Sequence, residues 1–257
     1  MKTKKGVRKI SIITGITQEI IEELKNTAPK LTPEQIVRRN KILNSNNPNF
    51  FGYGHKISDI EKITKTVHMK YQCSYEDALN VCKNLVSSNV HEEKFSGIFF
   101  LNHFKSNFNQ ATIDMFEHQL SKYCDTWAFC DTSCIRVIGP FLGKKNNKQL
   151  AEKIINNWSK SENLWVRRAS LVILLKIIMI KREFDEIYVF EFVEKMHEYL
   201  EDYIQKGIGW LLKTCSKFKP DLIFKYLMNN KERLPRLILR YASEKLSKEE
   251  RAQILEK

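Results

Sequence analysis

Apolar residues recur at spacings of three and four along most of the chain, as in Ile20, Ile21 and Leu24 or Leu150, Ile154, Ile155 and Trp158. That is the period of one face of an α-helix, and short polar connections separate the stretches, so many helices of about 10 to 18 residues are predicted. Strand signals are nearly absent. Glycine numbers 9 and proline 6 in 257 residues, and no Val/Ile/Thr-rich alternating run bounded by turn residues stands out. The longest apolar stretch, Leu171 to Ile180, is interrupted by Lys176 and falls short of the ~18 uninterrupted residues of a membrane helix. The pattern predicts an all-α fold with no membrane span.

The helices repeat. Four segments share one charged residue, then a small or polar residue, then a strongly apolar stretch. They begin at Lys94 (KFSGIFFL), Asp131 (DTSCIRVIG), Arg168 (RASLVILLK) and Lys206 (KGIGWLLK), at offsets of 37, 37 and 38, and Arg236 (RLILRYA) opens a shorter fifth unit 30 residues on. A period of this length, with two helices per unit, is close to that of helical-pair solenoids, in which each repeat buries its apolar face against its neighbours. The second helix of each pair then lines a concave face, onto which Lys94, Asp131, Arg168 and Lys206 project from equivalent positions. The alternative is that these charges merely mark the solvated starts of helices.

Charge sharpens the first reading. With 43 Lys plus Arg against 30 Asp plus Glu, the formal charge is +13, and a basic groove lined by helices suits a nucleic-acid backbone, whose neutralised phosphates release counterions. Hydrophobic residues make up 42% of the chain, enough for a sizeable core. The basic start MKTKKGVRK is followed by the short apolar SIITGI, too brief for a signal peptide. Residues 1–10 are expected to form a basic flexible tail, 11–250 a single repeat domain and 251–257 a charged tail. The six cysteines lie mostly within helical patterns and are expected to be reduced thiols of a cytoplasmic protein. Cys124, Cys130 and Cys134 lie close together, but no CxxC pair and no histidine at ligand spacing joins them, so they are read as buried thiols and no metal is expected. Gly-rich phosphate loops and Gly-x-Ser-x-Gly motifs are missing.

Asp131 is the anionic member of an otherwise basic row, and Trp127 precedes it by four residues. On a helix that spacing puts indole and carboxylate on one face, one turn apart. An indole packs well on a sugar or base, and a carboxylate meets positive charge developing at a sugar. The bland reading is a first-turn aspartate beside a core tryptophan.

Trp127 to Asp131 with Thr132 and Ile138-Gly139-Pro140-Phe141-Leu142-Gly143, then Leu164-Trp165-Val166-Arg167-Arg168-Ala169, then Ile204-Gln205-Lys206-Gly207-Ile208-Gly209-Trp210, together resemble the AlkD-type alkylpurine DNA glycosylases in order and spacing. The resemblance covers residues 90 to 230. It implies a superhelix of HEAT-like antiparallel helix pairs with a concave basic groove, which removes N3- and N7-alkylated purines from double-stranded DNA as a monomer, without metal or other cofactor and without deep extrusion of the base. It assigns the catalytic carboxylate to Asp131. DNA contacts fall on Trp127 and Trp210, which hold the deoxyribose, on Arg168, which holds a phosphate, and on Lys206 in a similar role. Arg167 fills a variable position, and Trp158 and Trp165 are read as core. The N-terminal part departs from the family: Pro33 to Asn49 contains no aromatic residue and offers Arg38 and Arg39 instead. The alternative functions are a non-catalytic HEAT-repeat protein that binds DNA structures or protein partners, and an abasic-site lyase using Lys206 as a Schiff base.

Overall fold

A computed structural model describes residues 4–256, with side chains described from Ile12 onward. Among these residues the secondary structure is helical, save one isolated bridge between Phe51 and Val90. The single domain expected over 11–250 divides into two compact units, ending and beginning at Ile138 and Gly139.

The first unit contains α1 (Lys4–Asn26), α2 (Pro33–Leu43), α3 (Ile57–Lys70), α4 (Tyr75–Val86), α5 (His91–Asn102), α6 (Gln110–Tyr123) and α7 (Trp127–Ser133), which runs into a π turn over Cys134–Ile138. Its centre is α5. Ten successive residues from Glu92 to Leu101 are buried, and a helix apolar nearly all round must be enclosed by others; α3, α4 and α1 pack on it. Where a flexible tail was expected over residues 1–10, the backbone is helical from Lys4. Residues 1–3 of that segment lie outside the described residues. Within α1, Ile16 and Ile20 are fully buried.

The second unit contains α8 (Gly139–Leu142), α9 (Lys148–Trp158), α10 (Leu164–Lys181), α11 (Glu186–Met196), α12 (Asp202–Ser216), α13 (Pro220–Asn230), α14 (Arg236–Ala242) and α15 (Lys248–Leu255). Here α10 is the enclosed helix, flanked by α8, α9 and α12. This accounts for the apolar run Leu171 to Ile180, most of which is core. Trp158 and Trp165 are 1% and 5% exposed, as their spacing predicted. The charged tail expected over 251–257 is instead largely helix. The hydroxyl of Ser247 accepts from the Glu250 amide, the Glu250 carboxylate accepts from the Ser247 amide, and Ile254 is 1% exposed. A capping box and one buried anchor are enough to dock a short helix.

The repeat is regular in the helices themselves. Lys94 is the fourth residue of α5, and Asp131, Arg168 and Lys206 are each the fifth of α7, α10 and α12. Arg236 is the first residue of α14, so the equivalent position there belongs to Arg240.

Close approach of α12 and α14 depends on Gly209. A Cβ at this position would stand 2.4 Å from the Tyr241 Cβ and 3.1 Å from the Ile238 carbonyl oxygen. Both neighbours are fixed to backbone, so Gly209→Ala must push the helices apart. The expected cost is about 1–3 kcal/mol, read as an earlier midpoint in urea unfolding.

Candidate nucleic-acid interface and carboxylate site

In the first unit the site is built on α7. Thr126 caps it, its hydroxyl accepting from the Phe129 amide at 3.3 Å, which fixes the start of the helix at Trp127. Trp127 is half-buried, and Asp131, one turn on, is 6% exposed. The indole Nε1–H donates to the Ile42 carbonyl at 3.0 Å. Ile42 lies near the C-terminal end of α2, so the segment that departs from the resemblance, Pro33 to Asn49, is what holds this indole.

Lys94 does not project onto a surface. It is 2% exposed, and its Nζ donates to the Tyr123 carbonyl at 2.6 Å and to Asp125 Oδ2 at 2.7 Å. The expectation that it shares a groove with Asp131, Arg168 and Lys206 is therefore corrected. Its ammonium has its partners at the turn that leads into α7, and its burial keeps it from a phosphate approaching from solvent. The same Asp125 accepts from the Asn47 side-chain amide at 3.3 Å. A buried ion pair thus ties together α5, the loop after α2 and the start of α7.

Beside this pair stands His91, whose ring lies 4.2 Å from that of Phe95. Burial holds its imidazole down at about 4; Glu92 and Asp125 pull upward against burial, and Arg39 and Lys94 add to the lowering. The unfolded chain therefore takes up this proton first as pH falls below 6.5, so stability is full above that value and is lost progressively toward about 4. The first unit is expected to lose on the order of 1–3 kcal/mol across this window. His91→Gln should flatten the profile in thermal melts taken from pH 7 to 4.

In the second unit Asn163 caps α10, its side-chain oxygen accepting from the amides of Trp165 and Val166 at 3.0 and 3.1 Å. Arg168, 5% exposed, donates through its guanidinium to the Tyr203 carbonyl at the start of α12 and lies 6.0 Å from the Tyr203 ring. Trp165 packs on the same ring at 5.0 Å, and the Lys206 ammonium lies 5.8 Å from it. Lys206 also reaches Asp202 at 3.2 Å. Tyr203, Lys206 and Trp210 fall at i, i+3 and i+7 and so share one face of α12, where all three are part-exposed. Arg167 is held apart from them, donating to the Ser161 carbonyl and to Glu201.

Each unit thus carries an aromatic residue and a charged residue at the repeat position: Trp127 and Asp131 in the first, Trp210 with Arg168 and Lys206 in the second. A model of the DNA alkylation repair enzyme family matches residues 20–246. The chain belongs to this family. Among solved structures it is similar to a predicted DNA alkylation repair enzyme from Enterococcus faecalis, with TM-score 0.71 and 19% identity over 86% of this chain and 100% of that one. It is also similar to AlkD2 from Streptococcus mutans, with TM-score 0.55 and 20% identity over 83% and 99%. At these identities the likeness shows a shared fold of helical repeats. No curated protein matches.

For a DNA alkylation repair enzyme two residues gain a place that their sequence context did not suggest. Tyr203 gathers Trp165, Arg168 and Lys206; its spacing from Trp210 on α12 was a readable signal. Ile42 acts through its backbone carbonyl, which no side-chain pattern reveals. Four thiols are packing groups: Cys82, Cys130, Cys134 and Cys215 have no exposed surface, and burial pushes Cys215 up to about 12; Cys124, expected to be buried with Cys130 and Cys134, is part-exposed, as is Cys73. Among the described residues no group of three or more His, Cys, Asp or Glu side chains is placed to hold a metal ion, and no helix is long and apolar enough to cross a membrane.

Proposed function

We propose that this DNA alkylation repair enzyme is a monofunctional glycosylase that hydrolyses the N-glycosidic bond of cationic N3- and N7-alkylated purines in double-stranded DNA. It acts as a cytoplasmic monomer and starts base excision repair. The observation that carries the reading is the Trp127–Asp131 pair, first and fifth residues of α7, in a chain of this family. An alkylated purine already carries positive charge. When the bond from C1′ to the ring nitrogen breaks, the electron pair neutralises the base, which leaves without a general acid. The sugar becomes an oxocarbenium-like cation, and water adds at C1′ and sheds a proton, leaving an abasic site. An ionised carboxylate about 4 Å from that cation, at an effective dielectric of ~20, contributes roughly 4 kcal/mol. This is about a thousandfold in rate.

In this reading Trp127 of the first unit packs on the deoxyribose beside Asp131, and in the second unit Trp210, Arg168 and Lys206 hold the DNA backbone without reading sequence. The low exposure of the carboxylate and of the guanidinium supports a second reading. Asp131 and Arg168 are 6% and 5% exposed, as suits groups kept for architecture in a non-catalytic DNA-binding repeat protein. The deciding experiment is release of 7-methylguanine and 3-methyladenine from methylated duplex DNA at low salt, with binding followed in parallel. Release supports the glycosylase, and tight binding without release selects the non-catalytic reading.

A further inference from the structure

The cationic row of the second unit does not end at Lys206. In α12 the residue after Lys206 is Gly207, which packs on Leu171 of α10, three residues beyond Arg168; a Cβ on Gly207 would stand 3.0 Å from the Leu171 Cδ1. In α14 the residue after Arg240 is Tyr241, which packs on Gly209 of α12, three residues beyond Lys206; a Cβ on Gly209 would stand 2.4 Å from the Tyr241 Cβ. The register from α10 to α12 is therefore repeated from α12 to α14. Arg240 stands to Lys206 as Lys206 stands to Arg168, and the three positions form one row across three successively packed helices.

The members of the row differ in what they have left to offer. Arg168 is 5% exposed with its guanidinium on the Tyr203 carbonyl, and Lys206 reaches Asp202 at 3.2 Å. Arg240 is exposed and has no hydrogen-bond or ion-pair partner among the described residues. Glu244, the carboxylate four residues after it, is taken by Lys213 at 2.8 Å. Arg236, four residues before it, is exposed as well, and like charges at that spacing on a helix repel. A bound anion relieves that repulsion.

We propose that Arg240 binds a backbone phosphate of the DNA held by Arg168 and Lys206, which extends the interface of the second unit by one repeat. Packed helices lie about 8–10 Å apart, whereas one strand offers a phosphate for about every 3.4 Å of axis, so each cation of the row meets a phosphate of its own. Arg240 lies beyond residues 90 to 230, the span of the resemblance that assigns the other contacts. The contact rests on the proposed placing of DNA on this row, and not on the glycosylase reaction.

The test is the salt dependence of DNA binding by the full chain, read by anisotropy of an end-labelled, undamaged duplex at a series of salt concentrations. Each neutralised phosphate contributes about 0.9 to the slope of log affinity against log salt. Arg240→Ala is expected to lower the magnitude of the slope by about 0.9, which over the decade from about 1 M to 0.1 M salt is roughly eightfold in affinity. Arg240→Lys keeps a cation in the row and should restore the slope. Lys225→Ala removes the same charge from an exposed side chain of α13, off the row, and should leave the slope at the parental value. All three substitutions fall on exposed side chains, so the thermal midpoint should stay with the parent. A parental slope in Arg240→Ala overturns the proposal. An equal fall in Lys225→Ala overturns it as well, since the effect is then one of net charge. A parent whose affinity does not depend on salt removes DNA from the whole row. Because the duplex carries no damage, failure to release methylated purines would sink the glycosylase reading and leave the result for Arg240 standing.

Discussion

Asp131→Asn is expected to release 7-methylguanine from methylated duplex DNA about a thousandfold more slowly than the parent protein, the loss of one carboxylate's stabilisation of a sugar cation. The substitution keeps shape and size and removes only the charge, so affinity for undamaged DNA should stay within a few-fold. The kinetic signature is a fall in the single-turnover rate at saturating enzyme, which isolates the transition state from binding. Because Asp131 is largely buried on α7, a thermal melt accompanies the assay. A variant that melts normally, binds normally and releases the base at the parental rate would refute the assignment of the carboxylate.

The largest effect on stability is expected at Lys94→Met. The change leaves Asp125, 5% exposed, as an uncompensated buried charge, and breaking a buried pair from one side costs about 3–5 kcal/mol. For a unit of this size that lowers the melting midpoint on the order of 10 °C. The double variant Lys94→Met with Asp125→Leu should regain most of the loss, because an apolar pair of similar volume escapes the desolvation cost of both ions. Since the pair leads directly into α7, the single variant should also disturb Trp127, visible as a shift in tryptophan emission that the double variant reverses. If Lys94→Met melts with the parent, the ammonium is not the centre of that buried network.

The all-helical class was legible from periodicity, because three-and-four spacing admits no other regular structure. The repeat was legible as well: offsets of 37, 37 and 38 placed Lys94, Asp131, Arg168 and Lys206 at the fourth or fifth residue of successive long helices. Equal places in a repeat did not mean equal exposure. Lys94 reads in sequence like Lys206, but its partner Asp125 lies 31 positions on, and only tertiary packing decides that one ammonium is enclosed and the other part-exposed. The Trp127 bond to Ile42 spans 85 positions and ends on a backbone carbonyl, which every residue possesses and none advertises. The C-terminal helix was a different case, since Ser247 and Glu250 carry a capping-box signature that the surrounding charge disguised. The division falls at Gly139-Pro140, with Gly143 close behind, a breaker signal that sequence reasoning took only as part of a repeat motif.

Only Leu43 is buried along α2, while Ile36, Val37 and Ile42 are 39%, 67% and 55% exposed. A helix fastened by Leu43, by the Arg39 bond to the Gly52 carbonyl at 2.7 Å and by a few backbone bonds tolerates replacement at most other positions, because surface changes away from packed features cost little. If Trp127 engages DNA as proposed, substitutions on α2 would change what meets the DNA next to it without unsettling the core of α5, so this helix is the place to alter damage preference while the scaffold is preserved.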